Sequence, residues 1–283
     1  MKPIRLFAGF LTVGVWTLLS RVLGFVRDIL IAGYLGTGPA AQAFLIAFAL
    51  PNMFRRFFAE GAFNMAFVPM FSKKLEGGDD ARTFAQDAFV FMALVLSAFS
   101  VLCVLAMPWL VLAMASGFRG DERFDLAVAY GRIAFPYILL ISLAALLSGV
   151  LNATGRFMAA AAAPVLLNVI FVIAMVLAAR YQPDYTTAGL PTPRDWHIGW
   201  ALAWAVPVGG VAQLAVVWIA AARAGFALRL RRPRWTPDLK RLFIIAAPAA
   251  LAGGVVQVNL LVGRQVASYF DGAVAWLSYA DRL

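Results

Sequence analysis

The sequence predicts an all-α polytopic membrane protein, a bundle of about eight transmembrane helices. Three observations carry that prediction. Only 13% of the residues are charged while 63% are hydrophobic, with a mean hydropathy of +0.83; a water-facing domain has roughly 25% charged residues. Several apolar runs exceed the roughly 20 residues that cross a bilayer, and they are continuous rather than alternating with period two, which selects helices over a barrel. Finally, most Lys and Arg residues fall in the short segments between those runs, and they do so on alternate sides.

Spans are expected at 6–32, 40–70, 83–113, 126–153, 158–179, 198–222 and 242–268, with an eighth opening near 273. The first follows a charged Met1–Lys2 start, but its apolar run is too long for a signal peptide and shows no clear cleavage site, so it reads as an uncleaved span. The second is too long for one straight crossing; Pro51 and Gly61 suggest a break, with the part after Gly61 lying partly at the interface. Turn-forming stretches separate the rest: YLGTGP, KKLEGGDDAR, SGFRGDERFD, NATGR, RYQPDYTTAGLPTPRDWH and RAGFALRLRRPRWTPDLKR.

One face collects Lys2, Arg5, Lys73, Lys74, Arg82, Arg156, Arg223, Arg229, Arg231, Arg232, Arg234, Lys240 and Arg241, 13 in all, against 4 on the other, Arg119, Arg123, Arg180 and Arg194. The positive-inside rule then places the N-terminus in the cytoplasm. It also accounts for the net charge of +10 without nucleic acid. The basic segment 223–241 divides a six-helix unit, 1–222, from the start of a second, 242–283, as in transporters built from repeated bundles. Because YADRL stops inside the eighth span, a longer parent protein is expected.

Chemistry points away from catalysis. The lone Cys103 and lone His197 exclude a disulfide framework, a redox pair and the usual zinc ligand sets. There is no phosphate-binding glycine loop, GxSxG or H-E-x-x-H motif, so the chain is expected to be no enzyme and to need no cofactor or metal. The Phe-rich stretch 54–71 reads as helix packing and interface anchoring. The sequon Asn152-Ala153-Thr154 falls on the cytoplasmic side and is discounted.

What stands out is charge at bilayer depth. Arg132 lies near a span end and can snorkel to the headgroups. Arg21, Arg27, Arg55, Arg56, Arg264 and Arg282 do not, and they face only Asp28, Glu60 and Asp281. Arg21 and Asp28, seven residues apart, share a helix face; a bend at Gly24 would bring Arg27 towards Arg21. Arg56 and Glu60 can pair as i, i+4 neighbours, and Arg264 can be read as interfacial. Each mid-membrane charge costs about 2.5–3.5 kcal/mol on insertion scales. Unpaired guanidiniums therefore need water, dipoles or an anionic ligand. All the intramembrane basic residues are arginine, whose planar fork suits bidentate phosphate recognition. A water-filled cavity for a phosphate-bearing anion follows.

At these arginines the sequence resembles a known family. SRVLGFVRD (20–28), LPNMFRRFFAEGAFNMAFVP (50–69), FPYILLISLAALLSGVLN (135–152), APVLLN (163–168), ALAWAVPVGGVAQL (201–214) and YADRL (279–283) closely resemble the MurJ (MviN) lipid II flippases of the multidrug/oligosaccharidyl-lipid/polysaccharide exporter superfamily. The resemblance implies a two-lobed transporter, of which this chain is the N-terminal lobe and the opening of the second. It implies transfer of lipid II across the bacterial inner membrane by alternating access, with lipid II, membrane lipids and cell-wall synthesis enzymes as partners. It assigns the pyrophosphate to Arg21, Arg27, Arg55 and Arg282; Asp28, Gln42, Arg56, Glu60 and Arg264 are read beside them as supporting charged or polar residues. Well-known members carry an acidic residue where this chain has Gln42, so charge balance must come from Asp28 or elsewhere. The alternatives are a flippase for another polyprenyl-pyrophosphate oligosaccharide, a drug exporter of the superfamily, or a non-transporting scaffold for wall synthesis.

Overall fold

The computed structural model describes residues 3–55, 62–181, 186–187, 190–191, 194–227, 232 and 234–281. Its helices, in order, are α1 (Pro3–Leu35), α2 (Pro39–Arg55), α3 (Ala62–Gly77), α4 (Ala81–Leu105), α5 (Met107–Ala115), α6 (Glu122–Ala134), α7 (Tyr137–Ala153), α8 (Met158–Arg180), α9 (Arg194–Arg223), α10 (Pro237–Ala267) and α11 (Ala273–Ala280). A two-residue hairpin, β1 (Thr186–Thr187) with β2 (Leu190–Pro191), sits in the α8–α9 connection. The all-α class is as expected.

Four stretches among the described residues, 81–105, 122–153, 158–180 and 196–223, are long and apolar enough to cross a bilayer. Helices α1 and α10 have 33 and 31 residues, about 50 and 46 Å at the helical rise.

Two predicted spans, the third and the fourth, are interrupted. The second holds α2 and α3, with residues 56–61 between them outside the described residues; Pro51 lies inside α2, which continues to Arg55. Gly61 lies outside the described residues. In the segment that follows, Ala66, Phe67 and Phe71 are buried, and Phe67 stacks on Phe71 and Phe84 at 5.7 and 5.5 Å. The third divides at Ala106, because Pro108 occupies the first turn of α5, where a missing N–H costs nothing. The fourth is interrupted at Phe135–Pro136.

Helix α9 is the hub, packing against α8, α7, α6 and α2. Glycines on it permit the approach: a Cβ on Gly210 would lie 2.8 Å from the Tyr137 ring, and one on Gly199 would collide with Tyr130. Small residues are what let apolar helices pack closely in lipid, where exclusion from water supplies no driving force.

Helix α10 lies across α3, α4 and α5, and its two ends are tied differently. At one end the Ser116 N–H donates to Gln265 Oε1 at 3.0 Å, and the hydroxyls of Ser116 and Tyr269 meet at 2.7 Å. The Gly117 N–H donates to Ser268 Oγ at 3.0 Å. Here the backbones touch, since a Cβ on Gly117 would lie 2.5 Å from the Ser268 carbonyl. Beside them Arg123 pairs with Asp271 at 3.4 Å, and the Tyr279 hydroxyl donates to the Gly36 carbonyl at 2.7 Å. At the other end Lys74 pairs with Asp238 at 2.9 Å, and Arg82 Nη2 donates to the Ala227 carbonyl at 3.1 Å.

Candidate functional site

A cavity of about 870 Å³ lies between α1, α2, α3, α7, α8 and α9. Arg21, Arg27 and Asp28 line it from α1, and Arg55 from the last turn of α2. Asp281 also lines it, and the polar part of the remaining wall is uncharged: Asn64 from α3, Ser148 and Asn152 from α7, Asn168 from α8, Gln213 from α9. A second cavity of about 540 Å³ shares Arg27, Asp28, Arg55 and Asp281 with the first and adds Arg264 from α10. Among the described residues around the two spaces, four guanidiniums, those of Arg21, Arg27, Arg55 and Arg264, stand against two carboxylates, Asp28 and Asp281.

These side chains differ in how they are held. Arg21 is exposed on the cavity side of α1, and no carboxylate among the described residues lies within ion-pair distance of it. Arg27, one and a half turns on, is buried at 7% exposure. Its Nε and Nη2 both donate to Asp28 Oδ1, at 2.9 and 2.7 Å, and its Nη1 donates to Asn168 Oδ1 at 2.9 Å. The Phe171 ring lies 5.5 Å from its Cζ. Asp28 therefore neutralises its own neighbour and not Arg21, the partner that their shared face suggested. Helix α1 runs without interruption through Gly24, and Arg21 and Arg27 line the same cavity.

Gln42 stands elsewhere. It is buried in the first turn of α2, lines neither cavity, donates from Nε2 to the Thr37 carbonyl at 3.1 Å, and accepts from Arg123 Nη1 at 3.4 Å. Arg123, read from sequence as a loop residue, is buried there at 8% exposure, over the Phe118 ring and paired with Asp121 and Asp271. Asp121 and Asp271, rather than position 42, supply its countercharge. Arg56, Glu60 and Arg282 lie outside the described residues, and so does the anticipated Arg56–Glu60 pair. Arg132 is exposed.

The neutral polar wall was missed in the sequence reading. Asn168 had a usable signal, being the lone amide in the apolar run 158–179, and a polar residue in a span faces protein or a cavity. Gln213 carries the same signal, as the lone amide in the run 198–222, whereas Asn64 shares its predicted span with Asn52 and Ser148 is a small hydroxyl of the kind apolar helices commonly hold.

Comparison with known proteins gives a consistent picture. The profile of a family described as "Lipid II flippase MurJ" matches residues 31–283. A probable lipid II flippase MurJ of Rhizobium tropici is 47% identical over 278 residues, covering 97% of this chain and 50% of the relative. The lipid II flippase MurJ of Burkholderia cenocepacia is 41% identical over 288 residues, covering 99% of this chain and 53% of the relative. The chain thus spans about half the length of the curated relatives it matches. Among solved structures, a lipid II flippase MurJ in an inward closed conformation superposes with a TM-score of 0.71 at 24% identity, over 95% of this chain and 53% of that one. A MOP superfamily transporter from Pyrococcus furiosus superposes at 0.69 with 17% identity, over 97% and 59%. Both share the fold.

Proposed function

The chain belongs to the lipid II flippase MurJ family, and from that premise we propose that it forms the first lobe of a transporter that carries lipid II from the cytoplasmic to the outer leaflet of the bacterial inner membrane. Residues 1–222 are that lobe, 223–241 a basic cytoplasmic linker, and 242–283 the beginning of the second lobe. The N-terminus is cytoplasmic, on the side where 13 basic residues gather.

The observation that carries this reading is Arg21: a guanidinium in a cavity between apolar helices, with no carboxylate to pair with among the described residues. Arg55 and Arg27 line the same space, Arg27 in its ion pair with Asp28. A charge so placed is retained where a ligand solvates it. A diphosphate does this best, because the fork donates two parallel hydrogen bonds to its oxygens. Among the described residues, the four-to-two surplus of guanidiniums over carboxylates argues against a cationic drug as cargo. In this reading Arg21, Arg27, Arg55 and Arg282 hold the diphosphate, while Arg264 and Asp28 set the field.

Transport follows from alternating access. The lining reaches Asn152 and Ala160 beside the α7–α8 turn, on the cytoplasmic side, while the Ser116–Tyr269 and Gly117–Ser268 contacts tie the outer end. Breaking that tie turns the bound headgroup outward. Each negative charge moved outward gains about 2.3 kcal/mol per 100 mV of inside-negative potential, so no nucleotide is needed. Proteoliposomes carrying the natural full-length protein test this: exposure of the lipid II headgroup should slow when the potential is collapsed. An unchanged rate would refute the electrogenic step.

A further inference from the structure

We propose that Asn168 is a positioning residue that aims Arg27 at the ligand; this rests on the reading above, that the cavity takes a diphosphate. Asn168 is the lone amide on α8, and it is buried at 6% exposure. Its Nδ2 donates to the Ser20 carbonyl at 2.9 Å. That bond settles the orientation of the amide and turns Oδ1 to Arg27 Nη1, 2.9 Å away. A guanidinium has five N–H donors. Asp28 Oδ1 takes those on Nε and one on Nη2, and Asn168 takes one on Nη1. Two remain, one on each terminal nitrogen, on a residue that lines both cavities.

Asp28 could not fix this geometry unaided. It is next to Arg27 on the same helix, so both can swing together about α1. Asn168 reaches from a different helix and holds the guanidinium plane over Phe171. The remaining N–H pair is then oriented before the ligand arrives, which lowers the ordering cost of binding. The same amide could act only as glue between α1 and α8. Glue would change stability, whereas aiming changes which anion is preferred.

The purified chain in phosphatidylcholine nanodiscs separates the two, with farnesyl diphosphate and farnesyl monophosphate as probes. Wild type should prefer the diphosphate. Asn168→Ala should cut that preference about tenfold, the scale of one charge-assisted hydrogen bond. Asn168→Asp, nearly the same size, should cut it at least as far, because a second carboxylate on Arg27 cancels its charge towards the ligand. An unchanged preference in either folded variant overturns the role of Asn168. If neither variant folds, NMR of the Arg27 side chain in wild type decides: hindered rotation of the guanidinium is expected, and free rotation refutes the role. Wild type that binds neither probe, or Arg21→Ala that binds as wild type, would instead remove the diphosphate reading itself.

Discussion

The Arg27 guanidinium closes on the carboxylate of its sequence neighbour Asp28 at 2.7 Å, with side chains only 9% and 17% exposed. Consecutive helical residues point about 100° apart, so the pair forms only because the arginine stem curls back along α1. It commits Asp28 to Arg27 and leaves Arg21 with no carboxylate at ion-pair distance among the described residues.

Asp28→Asn should therefore act on Arg27 first. Two N–H groups lose an ionised acceptor, which should lower stability by about 1–3 kcal/mol. The freed charge should tighten diphosphate binding. Thermal unfolding and farnesyl diphosphate titration measure both; a variant as stable as wild type would show that the pair does not hold α1.

Arg21→Lys keeps the charge and loses the fork. Diphosphate affinity should fall several-fold for Lys and at least about tenfold for Ala, since a charge-assisted bidentate contact is worth more than a point charge. Equal affinity in Lys and wild type would mean that only net charge matters.

Two glycines with close neighbours should respond differently. A Cβ on Gly117 meets the Ser268 backbone at 2.5 Å, and one on Gly131 meets the Met107 sulfur at 2.6 Å. Backbone cannot yield, whereas a methionine side chain has three rotatable bonds. Gly117→Ala should cost about 1–3 kcal/mol and Gly131→Ala under about 1. Equal losses on thermal unfolding would contradict the close packing of α10 on the 116–118 turn.

Gln265 both accepts from the Ser116 N–H and donates to its hydroxyl. Gln265→Leu should weaken the outer tie and raise outward access to the cavity. In a Cys103→Ala background, a thiol placed by Ser148→Cys should react several-fold faster with a membrane-impermeant reagent added outside. No acceleration would mean that these contacts do not close the outer end.

The apolar lengths of α4, α8 and α9 were readable because burial in lipid leaves a continuous signal. The interruptions at Ala106 and Phe135–Pro136 were less so, because a proline near a helix start and one inside a helix look alike in sequence; Pro51, Pro69 and Pro207 all lie within helices. Arg21, Arg27 and Arg55 could be picked out by the cost of their charge, and they do share one cavity. Their partners could not. The Arg27–Asn168 bond joins residues 141 apart, and Gln42 with Arg123 meets across 81, separations that leave no local pattern to read.

The most direct test of the central claim is growth. The natural full-length protein carrying Arg21→Ala and Arg55→Ala together should be made and inserted, yet fail to sustain a cell depleted of its own lipid II flippase. Wild type should sustain it. Normal growth with both arginines replaced would contradict the assignment of this cavity to the lipid diphosphate.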